Sequence, residues 1–374
     1  VRLFFAAFAS RAVQSALGLM TRCIAGIVLS LAPLAHATSP GPEGLNLYAL
    51  IDAGASHTRI SGAGASSSKT EFTTGAYGPN FIGLSFQKPA SQSLVAGITI
   101  EQGFLLSSSP RSGERWAYGS GDFLNRQANL FVKSIAGEFV AGTQPNLAFQ
   151  GLSIGEPRSG SHFGSALAMV MGTGELNAVD ESALSYRSPS FSGLKIAAQI
   201  IPESGQTPGT IRRGTRTQVS YSTPVVNLAL SHTSSERNAQ SALNLGSFLS
   251  AAVRFNEFTF KALAATQRTA AFQGALTTVG FGGAYTPRQG ITIDIGVYAS
   301  ENSTAGIHSR SLGLGIQKTL TDELSAFAQI ARVANRSSSV AIPYHAALAP
   351  DFADRLLAGQ TASSLNLGLI YRFQ

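Results

Sequence analysis

From Ile291 the chain alternates residue by residue. Ile291, Ile293, Ile295, Val297 and Ala299 form one set, and Thr292, Asp294, Gly296 and Tyr298 lie between them. Neighbouring residues of a β-strand point to opposite faces, so this pattern sorts onto two sides only if the segment is extended. The last segment repeats it, with Leu365, Leu367, Leu369, Tyr371 and Phe373 on one side and Asn366, Gly368, Ile370 and Arg372 on the other. Around Asn256 two such segments meet. Leu249, Ala251, Val253, Phe255, Phe258, Phe260, Ala262 and Ala264 share the apolar side, leaving Arg254 and Lys261 on the polar one.

Segments of this kind predict strands over 45–56, 80–88, 93–106, 126–134, 137–143, 183–188, 194–201, 215–223, 225–233, 247–256, 257–266, 276–285, 290–300, 310–319, 323–333 and 364–373, sixteen in all. Short links such as Thr223-Pro224 and Thr286-Pro287-Arg288-Gln289 alternate with long ones at 57–79, 107–125, 144–182 and 334–363. An even number of two-faced strands with short turns and long loops in alternation predicts an all-β fold, a transmembrane antiparallel β-barrel. Sixteen strands enclose water, where eight would be filled by side chains.

Composition decides what the apolar face meets. A soluble β-sandwich would alternate as well, because one face packs on a core. Yet only 13% of the residues are charged, against roughly 25% in soluble domains. Glycine is abundant at 39 residues, and 22 Phe and 9 Tyr dominate the aromatics. Lipid around the apolar face explains this scarcity of charge; a buried core does not.

Residues 20–37 have the layout of an export signal: Arg22, an apolar run from Cys23 to Leu34, and Ala35-His36-Ala37 as a small-x-small cleavage site. The run falls short of the ~20 residues that a membrane-spanning helix needs. The expectation is therefore a cleaved leader over 1–37, with Met20 as a candidate true start, and a barrel domain over 38–374. Cleavage would remove the sole cysteine, Cys23, and with Arg2, Arg11 and Arg22 it would lower the formal net charge from +7 to +4. A disulfide framework and a cysteine-based zinc site are then excluded. No Lys/Arg run points to nucleic acid.

Several segments carry a family resemblance. Leu45-Asn-Leu-Tyr-Ala-Leu-Ile-Asp-Ala-Gly54 resembles the first strand, V-T-L-Y-G-x-I-D-A-G, of the trimeric outer-membrane porins common in β-proteobacteria. Asn125-Arg126-Gln127-Ala128 is similar to that family's N/G-R-Q-A. Ala183-Leu-Ser-Tyr-Arg-Ser-Pro-Ser-Phe-Ser-Gly-Leu194 resembles its Y-x-S-P-S-F-S-G turn, the most specific of the matches. Glu101-Gln-Gly-Phe104, Thr319-Leu-Thr-Asp-Glu-Leu324 and the closing Tyr371-Arg372-Phe373 are further likenesses.

The resemblance implies a passive channel for small hydrophilic solutes and ions in the bacterial outer membrane, with no cofactor. It also implies a homotrimer surrounded by outer-membrane lipid, and assembly machinery that reads the C-terminal strand ending at Phe373. In such porins the third loop folds into the barrel and faces basic wall residues across a narrow zone. Residues 144–182 hold that place here. Glu156, Glu175, Asp180 and Glu181 are the candidates for an acidic loop face; Arg126, Arg187, Lys195, Arg254 and Lys261 are the candidates for the basic side, and Asp52 is a further lumen candidate. Low-dielectric walls focus a field of this kind. Two family arginines have counterparts that are not basic, Phe81 and, on ungapped alignment, Thr143.

Rival readings find less support. His57, His162, His232, His308 and His345, expected mainly in loops, show no recurring Ser or Asp partner spacing, which argues against an enzyme. Met171-Gly-Thr-Gly174 lacks the lysine of a phosphate-binding loop, and no His pair stands at i, i+4 for a metal. The remaining alternative is a plugged barrel that acts in adhesion or surface binding through its loops.

Overall fold

The computed structural model describes residues 44–104, 106, 123–158, 161, 163–172, 176–203, 213–236, 243–269, 273–287, 290–344 and 355–373. The expected leader, Met20, Cys23, Glu175, His162 and His345 lie outside them.

The alternating segments form one antiparallel sheet. Its strands are β1 (Leu45–Gly62), β2 (Ala65–Thr74), β3 (Phe81–Ser91), β4 (Leu94–Gly103), β5 (Gln127–Ser134), β6 (Gly137–Pro145), β7 (Val179–Arg187), β8 (Leu194–Ile201), β9 (Arg213–Ser222), β10 (Val226–Glu236), β11 (Asn244–Phe255), β12 (Phe258–Arg268), β13 (Leu276–Tyr285), β14 (Ile291–Asn302), β15 (Ile307–Thr319), β16 (Leu324–Asn335) and β19 (Thr361–Phe373). A two-residue hairpin of β17 (Ile342–Pro343) and β18 (Arg355–Leu356) sits in the last loop. Strands follow one another around the wall, and β19 pairs with β1 from Ala49↔Phe373 to Ser61↔Thr361, which closes the barrel.

The sheet holds 17 strands. β2 and β3 nevertheless share one place, because β2 pairs with β1 from Ala53 to Gly62 and β3 pairs with it from Leu45 to Leu50. The wall therefore has sixteen positions, as expected from the alternation.

The expected loop at 57–79 is corrected. β1 continues to Gly62 and turns on Ala63 and Gly64, whose φ values of 52° and 76° are those of a tight hairpin turn, before β2 returns. Residues 65–74 escape the pattern because Ser66, Ser67, Ser68, Lys69 and Thr70 offer no apolar face. For the same reason β10, β14, β15 and β19 each run two or three residues further toward the loops than the apolar stretches suggest.

The outward face carries the large apolar side chains, among them Leu130, Phe139, Leu230, Phe260, Phe281, Ile295 and Leu314, all exposed on the isolated chain. At the rim of short turns Phe258 stacks on Tyr285 at 4.7 Å and Tyr371 tilts against Phe373 at 6.2 Å, an aromatic girdle. Among the described residues no helix is long and apolar enough to cross a membrane.

Candidate functional site

The chain between β6 and β7 folds into the barrel and carries two helices, α1 (Leu147–Gly155) and α2 (Ala166–Gly172). Asn146 caps α1, its side-chain oxygen accepting from the amides of Ala148 at 2.8 Å and Phe149 at 3.1 Å. α1 lies on the inner wall of β8 to β12. It comes close because Gly151 meets Ser231 and Gln218, where any side chain would collide. Gln218 donates to the Leu147 carbonyl at 2.6 Å and Ser250 to the Gly151 carbonyl at 2.5 Å.

Beyond α1 the loop is clamped. Tyr298 donates to Glu156 at 2.5 Å, and the Lys261 ammonium donates to the Glu156 carbonyl at 3.1 Å. Arg158 Nε lies 3.0 Å from Asp294 Oδ1, both side chains withdrawn from solvent. The same guanidinium reaches Gln329 at 2.9 Å and the Phe163 carbonyl. α2 buries Leu167 and Val170 with Phe248, Leu263 and Tyr298. Met169 packs with Ile307, Val333, Ile342 and Leu356, so the hairpin of the last loop covers α2. At the far end of the loop Asp180 pairs with Arg216 at 3.1 Å.

A second, shorter segment also turns inward. Residues 75–80, between the two halves of the split strand, are held by Asp52, whose Oδ2 accepts from the amides of Tyr77 at 2.5 Å and Gly78 at 2.9 Å. Asn80 accepts from the Asp52 amide and donates to Thr74. Tyr77 meets Phe327 with ring centroids 5.7 Å apart, and Phe163 of the long loop joins them. Gln329 links both inward segments: it accepts from Arg158 and Ser161 and donates to the Ala76 carbonyl at 3.3 Å.

Open space lies on the other side of the lumen. A cavity of about 280 Å³ is lined by Gln127, Asn129, Phe131, Lys133, Glu138 and Arg187 of the wall and by Gln150 of α1. It adjoins one of about 440 Å³ that reaches Asn46, Ser85 and Gln87; Thr99, Phe131 and Lys133 line both. Across the cavity wall Lys133, Glu138 and Arg187 form a ladder, with Glu138 at 3.5 Å from the ammonium and 3.2 Å from the guanidinium. Gln150 accepts from Arg187 at 3.4 Å.

Near it Glu101 accepts from Tyr48 at 2.8 Å, Gln127 at 2.5 Å and Arg126 at 3.2 Å. Arg126 in turn lies over the Phe81 ring at 4.5 Å. Tyr48 and Phe131 lie flat because Gly83 and Gly97 beneath them have no side chain.

The sequence candidates divide. Arg187 and Arg126 stand on the open side, Arg126 already paired to Glu101. Lys195 and Arg254 are exposed near the rim of short turns. Lys261 lies under the inward loop and binds its backbone instead of facing it across a gap. Glu156 and Asp180 are buried in contacts with the wall and present no acidic face, and Asp52 is a buried clamp. Glu181, at the start of β7, is half-buried. A bulge between Gly142 and Gln144 makes Gln144, not Thr143, line the cavity.

His57 and His308, expected in loops, lie on β1 and β15, while His232 lies on β10, within the expected strand. Among the described residues no three potential metal ligands cluster. Lys133, Glu138, Arg158 and Gln329 were not singled out from sequence; the inward parity of Lys133 and Glu138 on β5 and β6 was the available signal.

A family model described as Gram-negative porin matches residues 24–338. Among solved structures, the anion-selective porin from Comamonas acidovorans superposes with a TM-score of 0.74 at 14% identity, over 88% of this chain and 99% of that one. The trimer form of OmpT from Vibrio cholerae gives 0.62 at 12%, over 88% and 99%. OmpF of Salmonella typhi, in complex with daunomycin, gives 0.60 at 12%, over 88% and 97%. A search of curated protein sequences finds no match.

Proposed function

The chain belongs to the Gram-negative porin family and is an outer-membrane channel, and we propose that it passes small hydrophilic solutes and ions by passive diffusion along the β3–β7 side of its lumen. The observation that carries this reading is the division of the lumen: the inward loop is clamped to β8–β16, while two adjoining cavities follow the opposite wall. The lining there is mostly amide, hydroxyl and aromatic, and its charged ladder holds two cations and one anion. Such a wall favours no strong ion preference, only a weak one for anions.

The functional unit in this reading is a homotrimer, as in the trimer form of the Vibrio OmpT structure. The chain is exported by a leader over 1–37 and inserted by machinery that reads the strand ending at Phe373. It performs no catalysis. The test is swelling of liposomes that carry the refolded chain: uptake should fall smoothly with the size of neutral sugars. Liposomes impermeable to the smallest of them would favour the plugged, adhesive barrel.

A further inference from the structure

The outward face of the barrel is ordered in rows by the strand register, and the rows change character near the loops. On β15, β16, β19 and β1 one row reads Leu314, Ile330, Leu365 and His57; the rows below it hold Ile316, Ala328, Leu367 and Ala55, then Ala326, Leu369 and Ala53, with Lys318 at the β15 end of this last row near the short turns. These are the apolar band. The next row toward the loops is Leu312, Arg332, Ser363, Arg59 and Ser68, and the one after it is Arg310, Ala334, Thr361, Ser61 and Ser66. Three arginines thus stand together on the outside of the wall, just above the apolar band and among hydroxyl side chains.

Arg332 and Arg59 flank Ser363, each one strand away, so their Cα atoms lie about 9–10 Å apart. Arg310 is diagonal to Arg332, roughly 7–8 Å away. All three side chains are exposed, and among the described residues none takes part in an ion pair. Among the described residues the nearest outward carboxylate, Glu301, is diagonal to Arg310, one row further out, and stands beside His308 at 3.9 Å. Compare Arg213, also outward near the loops: it is matched to Glu236 at 2.6 Å. Three like charges that form no ion pair repel one another, and their guanidinium forks fit the oxygens of a phosphate group.

We propose that Arg59, Arg310 and Arg332 form a binding site for the phosphate-bearing headgroup of a lipid in the outer leaflet. The height of the patch selects this occupant: acyl chains cover the rows below, so the charged part of the same lipid lies level with the arginines. Ser61, Thr361 and Ser363 add hydroxyl donors to the sugar or phosphate oxygens. The inference rests on the outer-membrane reading, with the long loops facing outward.

The test uses the refolded chain and diphosphorylated lipid A as probe, with bound lipid counted by native mass spectrometry. The variant R59Q/R310Q/R332Q should retain at least tenfold less lipid A than the parent, while R213Q retains as much as the parent. A triple Arg→Lys variant, which keeps the charge, should recover part of the loss. Fully dephosphorylated lipid A should bind no better to the parent than to the Gln variant. Equal retention by parent and Gln variant overturns the proposal. So does a Gln variant that keeps its lipid but loses its oligomeric state, since the patch would then be a contact between copies. Conductance measured on the same samples is expected to be unchanged in the Gln variant; failure of conduction in the parent would count against the channel reading and leave the lipid result separate.

Discussion

Arg158, just beyond α1 in the loop that leaves the wall after β6, lies 3.0 Å from Asp294 on β14, and neither side chain reaches solvent. The contact joins residues 136 apart in sequence and fixes the loop to one side of the lumen. Breaking a buried pair by removing one partner leaves the other charge uncompensated, at a cost of about 3–5 kcal/mol. Asp294→Ala is expected to lower the urea midpoint of the refolded barrel and to make channel currents noisy as the loop comes free. The double change R158Q/D294N, which leaves no lone charge, should be the milder of the two.

The ladder of Lys133, Glu138 and Arg187 predicts how selectivity responds to single charges. Glu138→Gln removes the anion and should move the reversal potential toward anion preference. Lys133→Gln or Arg187→Gln should move it the other way. Each step is expected to change the permeability ratio roughly two- to fivefold, the ~0.4–1 kcal/mol scale of a charge that water still reaches. Reversal potentials in a tenfold salt gradient read the sign directly.

Tyr48 lies across Gly83, and a Cβ at that glycine would come within 2.4 Å of the ring. Gly83→Val is therefore expected to swing Tyr48 into the lumen and lower the conductance, with an overpacking cost of ~1–3 kcal/mol in stability. Adding Tyr48→Ala should restore the conductance, because the ring that blocks the path is gone.

Asn80 accepts from the Asp52 amide and donates to Thr74, both in buried surroundings. Asn80→Ala leaves the Asp52 amide unpaired, at about 1–3 kcal/mol, while Thr74 keeps the amide of Leu106. The expected outcome is faster hydrogen exchange over residues 75–80 and unchanged exchange in β11 and β12. Equal protection of 75–80 in both proteins would show that Asp52 alone holds the segment.

The barrel wall was legible in the chain because lipid on one side and water on the other force a period of two. Val297 and Tyr298 are enough to show it. Legibility ended where both faces are polar: Ser66, Ser67 and Ser68 pair in a strand that no alternation announces. Inside the lumen the limit was different. Residue type does not tell a free charge from a paired one, so Asp52, Glu156 and Asp180 read as pore acids although hydrogen bonds and Arg216 occupy them. Arg158 gave no warning, since its partners Asp294 and Gln329 lie on strands far along the chain. The bulge at Gly142 likewise shifts the wall by one residue, which no ungapped alignment can reveal.

The measurement that bears most directly on this account is single-channel recording of the refolded chain from Thr38 onward, in a planar bilayer under a salt gradient. The channel reading predicts large, stable steps, grouped in threes for a homotrimer, and a reversal potential displaced slightly to the anion side. A chain that inserts as a folded barrel and yields no steps would contradict it.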